Sequence, residues 1–178
     1  MSKRVLILSS SPRKGGNSNA LCERFMAGAI EANHQVEKVL LAEKKINYCT
    51  GCYACGGNGE CVQKDDMSHI LHGMMAADVI VLATPVYFYT MCAQMKTVID
   101  RTVARYTKLT NKEFYFIMTA ADTRKAALER TVEGLRAFTS CLPRAKEKGI
   151  VYGTGAWDVG DILGSRAVDQ AYEMGKRL

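Results

Sequence analysis

The stretch VLILSSSPRKGGNSNAL, Val5 to Leu21, decides the fold. Its first four residues are a short apolar run of strand type. Ser, Pro, Gly and Asn follow at once, and a helical pattern with Leu21, Phe25 and Ala29 on one face then begins. Strand, polar turn and helix in that order open a parallel α/β sheet, and the rest of the chain repeats the unit.

Working outward, Val36 to Leu41 predicts a second strand. Met67, Ile70, Leu71, Met74 and Met75 fall on one face of a second helix, with Asp66 as its cap. Val79 to Ala83 is continuously apolar, as a strand buried on both faces must be, and the next helix turns Met91, Met95, Val98, Ile99 and Thr102 inward. Glu113 to Ala120 predicts a strand and Arg124 to Leu142 a long helix carrying Leu128, Val132, Leu135 and Phe138. Gly149 to Gly153 predicts the last strand and Ser165 to Leu178 a terminal helix. Five strands alternating with five helices imply right-handed crossovers, helices on both faces of an open parallel sheet, and ligands bound beyond the carboxyl ends of the strands.

A chain of 178 residues is enough for one such domain, expected to span 1–178 with a cysteine-rich loop at 47–64. The apolar fraction of 48% and charged fraction of 24% exclude a disordered or fibrous class. The longest early apolar run is four residues, Val5 to Leu8, too short for a signal peptide or a spanning helix, so a cytoplasmic protein without membrane association is expected. The net charge of +6 comes from Lys and Arg scattered without a block, which predicts a solvated surface and no nucleic-acid partner.

Ser9 to Asn19 brings hydroxyls, amides and glycine N–H groups to a helix N-terminus, with Arg13 and Lys14 beside them, which is a setting for an anion. The same residues also serve an ordinary capped helix. Neither G-x-x-x-x-G-K-[ST] nor G-x-G-x-x-G follows the first strand, and Gly153-Thr154-Gly155 lacks the third glycine. A single terminal phosphate such as that of FMN suits the turn better than a triphosphate or pyrophosphate. Thr84-Pro85-Val86-Tyr87-Phe88-Tyr89 follows the third strand, where Pro is expected to end the ladder and the aromatics to meet a flat ring, or else to pack on the core or a second subunit. Thr119 to Asp122 is a run of small residues at the same end of the sheet.

The chain has seven cysteines, an odd number for disulfide pairing, and four of them form C-x2-C-x2-C-x5-C at Cys49, Cys52, Cys55 and Cys61. One glycine-rich loop would wrap four thiolates about one centre. The compact ferredoxin run differs, with three residues before its last cysteine and Pro after it. Three chemistries share this pattern: a cluster, redox-active or unmetallated thiols, and zinc, although structural zinc loops usually split their ligands into two distant pairs. Cys22, Cys92 and Cys141 lie on helical stripes and are expected in the core, while His69 and His72 are expected on a polar outer face.

Taken together, SSSPRKGGNSNAL after the first strand, ATPVYFYTMCAQMKTVIDR after the third and YCTGCYACGGNGECVQKDDM between them resemble the NADPH-dependent FMN reductase and iron-sulfur flavoprotein family of flavodoxin-like proteins. GTGAWDVGDI before the terminal helix is similar to the family's ending. The resemblance implies a flavodoxin-like three-layer α/β sandwich around a five-stranded parallel sheet of order 2-1-3-4-5, in a homodimer or homotetramer. It implies FMN, with Ser11, Arg13, Asn17, Ser18 and Asn19 on the phosphate and Pro85, Val86, Tyr87, Phe88, Ala120, Ala121 and Asp122 lining the isoalloxazine. It also implies a [4Fe-4S] cluster on Cys49, Cys52, Cys55 and Cys61, and NAD(P)H as co-substrate. The activity implied is electron transfer from NAD(P)H or a redox protein to a small-molecule or protein acceptor, with no side chain nominated as acid or base. An electron carrier of flavodoxin type and a thiol-based redox sensor are the competing functions; carriers are usually acidic, and a sensor would hold no flavin.

Overall fold

The computed structural model describes residues 1–178. In chain order the elements are β1 (Arg4–Ser9), α1 (Asn17–Glu31), β2 (Gln35–Leu40), α2 (Met67–Ala76), β3 (Val79–Tyr87) and β4 (Thr90–Met91). Then come α3 (Ala93–Arg101), β5 (Glu113–Thr119), α4 (Glu129–Ser140), β6 (Lys146–Gly153) and α5 (Arg166–Lys176). The sheet order is β2-β1-β3-β5-β6 with every pairing parallel, and the two-residue β4 folds back antiparallel on the end of β3. With β4 set aside, the five long strands follow the expected order 2-1-3-4-5.

Alternation along the strands sorts the core into two layers, because successive side chains of a strand point to opposite faces. Leu6, Leu8, Ile80, Leu82, Phe114 and Phe116 pack with residues of α2, α3 and α4. Val5, Ile7, Val79, Val81, Tyr115 and Ile117 pack with α1 and α5 on the other side. α1 and α5 meet backbone to backbone: a Cβ on Gly28 would lie 2.1 Å from Tyr172 O, and one on Gly175 would lie 2.0 Å from Phe25 O. Only glycine permits that approach. No helix is long and apolar enough to cross a membrane.

Several boundaries differ from expectation, each for a local reason. Pro85 does not end the third strand, which runs on to Tyr87. The ladder to β1 has already finished at Ala83, so the missing N–H breaks no rung on that side, and Pro85 stands opposite Thr119 of β5. The helix predicted over 124–142 is α4 over Glu129–Ser140, preceded by a 3-10 turn at Lys125–Leu128 and stopped before the Leu142-Pro143 dipeptide. β6 starts three residues before Gly149, across a register shift against Phe114 and Tyr115. Leu41 belongs to a 3-10 turn after β2, and α5 starts at Arg166 with Ser165 in front of it. Asp66 does not cap α2 with its side chain; Asp65 Oδ1 accepts from Met67 N–H at 3.2 Å instead. Cys22 and Cys92 are buried, but Cys141 is exposed at the end of α4 and not in the core. His69 and His72 lie on the exposed face of α2.

Candidate functional site

The carboxyl ends of β1, β3 and β5 open on a cleft. Its first wall is the turn after β1, with Ser11, Arg13, Gly16 and Asn17. Arg13 N–H donates to Ser11 Oγ at 3.2 Å and Gly16 N–H to Arg13 O at 3.1 Å, which curls the turn onto the start of α1. A Cβ on Gly16 would lie 2.4 Å from Ser11 Oγ and 3.1 Å from Arg13 O, so a side chain there would push the Ser11 hydroxyl aside. No side chain caps α1. The amides of its first turn and the positive end of its dipole are therefore left for a ligand.

Ser18, in that first turn, is 1% exposed, and its Oγ is buried without any hydrogen-bond partner. A buried hydroxyl is rarely left in that state. Asn17 is spent differently: its Nδ2 donates to Asp158 O at 2.8 Å, and its Oδ1 accepts from Gly160 N–H at 3.0 Å and Ile162 N–H at 3.4 Å. It thereby fastens the loop after β6 to α1. Arg13 Nη1 donates to Trp157 O at 2.5 Å and helps in the same task. Asn19 turns away from the cleft, its Oδ1 accepting from Ser9 Oγ and Lys38 Nζ at 3.3 Å each.

The opposite walls are Pro85, Val86 and Tyr87 at the end of β3, and Thr119, Ala120 and Ala121 at the end of β5. Ala156 and Trp157 close the far side, held there by Ala156 N–H to Ala120 O at 2.8 Å and Gly155 N–H to Asp122 O at 3.0 Å. Ser18, Asn19, Asp122 and Phe88 are not among the residues on the walls. The Asp122 carboxylate is held at about 2, well below its usual value, because it accepts from the side chain and the backbone N–H of Arg124. Phe88, 99% exposed, occupies the tip of the β3–β4 hairpin. Phe88 and Tyr89 both have positive φ, +49° and +65°, as the two-residue turns that match strand twist require, without the glycine or asparagine that usually takes such values. Gly16, Thr119 and Ala156 were not named as site residues from the sequence, although the stretches Ser9 to Asn19, Thr119 to Asp122 and GTGAWDVGDI contain them.

The second site is the loop between β2 and α2. Cys49, Cys52, Cys55 and Cys61 all line one cavity of about 410 Å³, with Arg101, Val103 and Ala104 behind them. All four are free, Cys49 and Cys52 exposed and Cys55 and Cys61 half-buried. Hydrogen bonds from the backbone N–H of Ala54 and from Thr50 pull the Cys52 thiol below its ordinary value. No three His, Cys, Asp or Glu side chains come close enough to hold a single metal ion. The four cysteines thus share a cavity without the contracted tetrahedron of a zinc site.

Residues 3–146 match the NADPH-dependent FMN reductase family. An iron-sulfur flavoprotein of Archaeoglobus fulgidus is 46% identical over 99 residues, which are 56% of this chain and 44% of that protein. An iron-sulfur flavoprotein of Methanosarcina thermophila is 33% identical over 139 residues, 74% of this chain and 70% of that one. In these alignments the chain spans about half the length of most of the curated relatives it matches. Among solved structures, the FMN-dependent NADH-azoreductase of Bacillus anthracis in complex with FMN superposes with a TM-score of 0.76 at 18% identity, over 99% of both chains. Its likeness concerns the fold.

Proposed function

The chain belongs to the NADPH-dependent FMN reductase and iron-sulfur flavoprotein family, and on that premise we propose that it is an FMN-dependent oxidoreductase taking electrons from NAD(P)H or a redox protein and delivering them to an acceptor. The observation that carries this is the unpartnered, buried Ser18 hydroxyl at the uncapped start of α1, facing no protein acceptor or donor. A phosphate would satisfy that hydroxyl and the free amides together. Ser11 and the exposed Arg13 would add donors, whereas Asn17 acts by holding the loop that closes the cleft.

When bound, FMN supplies hydride acceptance from a nicotinamide and release of electrons to the acceptor. The chain's part is placement. Ala120 and Ala121, without bulk, let a planar ring approach the ends of β3 and β5, while Tyr87 and Trp157 flank it and limit water. The enclosed part of the cleft is about 150 Å³, below the 300–1,000 Å³ usual for ligand pockets, so a second copy of the chain is proposed to cover the remainder in a homodimer or homotetramer. The exposed Phe88, Tyr89 and Trp157 are the side chains available for that contact.

Cys49, Cys52, Cys55 and Cys61 are proposed to hold a [4Fe-4S] cluster; four thiol donors about one 410 Å³ cavity suit it. Such a cluster supplies one-electron steps. Anaerobic purification followed by an absorption spectrum, identification of the released flavin, and iron and sulfide analysis tests both assignments at once. FMN near one per chain with about four iron and four sulfide is the expected result. Colourless protein that takes up no FMN on titration would overturn the proposed function.

A further inference from the structure

Between Asn47 and Asp65 the chain has one short 3-10 turn, Ala54–Gly56, and no other regular structure. Within it, Gly56 N–H donates to Tyr53 O, Gly59 N–H to Cys55 O, Glu60 N–H to Asn58 Oδ1 and the Gln63 amide to Tyr48 O. So few bonds cannot by themselves keep four cysteines facing one cavity against the conformational freedom of the backbone. What fixes the loop arrives from the end of α3.

Arg101 is 2% exposed. Its Nη1 donates to Asn47 O at 2.6 Å and to Asp65 Oδ2 at 2.7 Å, and its Nη2 to Asp65 Oδ1 at 2.9 Å. The Asp65 carboxylate also accepts from Asn47 N–H at 3.0 Å. Both ends of the loop therefore meet on one guanidinium. One helical turn further, Arg105 Nε donates to Gly59 O at 2.8 Å and its Nη2 to Glu60 Oε1 at 3.2 Å, which holds the far bend. Gly59 has φ +75°, and a Cβ there would lie 3.3 Å from Ala104 O.

A buried ion pair is poor evidence for added stability, because removing two charges from water costs about as much as their attraction returns. Its position at the closure of this loop therefore needs another reason. Arg101 Nε is buried with no acceptor, and Arg101 shares its cavity with all four cysteines. Cys61 lines both of the cavities that Arg101 lines, and in the metal-free chain no hydrogen bond yet joins the two side chains.

We infer that Arg101 is a positioning residue for the cysteine site: its Nη atoms clasp the two ends of the loop, and its spare Nε–H is left for the sulfur of Cys61 to accept. Only the use of that sulfur as a cluster ligand rests on the proposed function. Hydrogen–deuterium exchange of the intact, metal-free protein reads the clasp. In Arg101→Lys, which keeps the charge and loses the planar fork, amides of residues 47–65 exchange at least about tenfold faster while β1, β3 and β5 stay protected. The double substitution Asp65→Asn with Arg101→Gln, neutral on both sides, loosens the same amides without stranding a buried charge. Unchanged loop exchange in both proteins, or equal loss of protection in the sheet, overturns the clasp.

The Nε–H is read by 15N NMR of the arginine side chains. The Arg101 signal shifts in Cys61→Ala and not in Cys49→Ala; a signal indifferent to Cys61 overturns that part. Iron and sulfide analysis after anaerobic reconstitution of the unaltered protein keeps the two ideas apart. If it finds neither element, the cluster assignment fails, and exchange and NMR still decide the role of Arg101.

Discussion

The cleft and the cysteine loop are both irregular, polar-edged regions, yet they are held by different means. The cleft grows out of the ends of β1, β3 and β5, whose residues Leu8, Leu82 and Phe116 are fully buried, so its floor inherits the rigidity of the sheet. The cysteine loop has no core of its own and depends on two arginines at the end of α3. Rigid placement suits a ligand that must lie flat against backbone. A side-chain clasp suits sulfur donors that must stay reachable from solvent.

Weakening the common core should have the largest effect. Phe25 is fully buried and packs edge-to-face on Tyr115 at 5.3 Å. Phe25→Ala should cost about 3–5 kcal/mol of global stability in chemical denaturation. The cleft should lose its flavin as the sheet melts, and if flavin release and sheet unfolding do not coincide, the cleft is not an outgrowth of the core.

A smaller effect is expected from changes at the turn itself. Ser18→Asp sets a carboxylate where the orphan hydroxyl lies and Arg13→Glu reverses a nearby charge. Each should weaken FMN by about one to two orders of magnitude, from the 1.5–3 kcal/mol of a charge-assisted hydrogen bond; melting of the apoprotein should change little in Arg13→Glu, at an exposed position, and fall in Ser18→Asp, which buries a carboxylate. Flavin retention through gel filtration in both variants would remove the phosphate assignment. Cys52→Ser sharpens the contrast: it should abolish stoichiometric iron while FMN stays.

Acid separates the regions more gently. Burial pushes the Asp65 carboxyl up, but the bonds from Arg101, Asn47 and Met67 outweigh it and hold the group below its ordinary value. A depressed carboxyl adds stability that is complete above the unfolded value of about 3.9 and is lost as pH falls through the folded one. The loop should thus become protease-sensitive below about pH 4, and Asp65→Asn should flatten that dependence. The smallest effect is expected at Cys141, exposed at the end of α4. Cys141→Ser should change stability by less than about 0.5 kcal/mol, since no core packing is disturbed.

The alternation of strands and helices was legible because strands buried on both faces read as unbroken apolar runs, as Val79 to Ala83 does. The polar turn and the four cysteines were legible because each is contiguous. Less legible was the direction of single side chains: Asn19 and Asp122 sit in the expected segments and turn to Lys38 and Arg124. Arg101 ends the stretch ATPVYFYTMCAQMKTVIDR, but nothing there points to the loop it closes, which lies far back along the chain.

Short-range physics along the chain encodes the order of elements, the place of the polar turn after β1, and the grouping of four thiols in one loop. Tertiary structure decided the use of each side chain. Asn17 became a fastener for Gly160 and Ile162, Pro85 stayed inside a strand, and Arg101 met Asn47 and Asp65. These outcomes depend on which partners the crossovers bring within hydrogen-bonding distance, and periodicity along a chain carries no record of that.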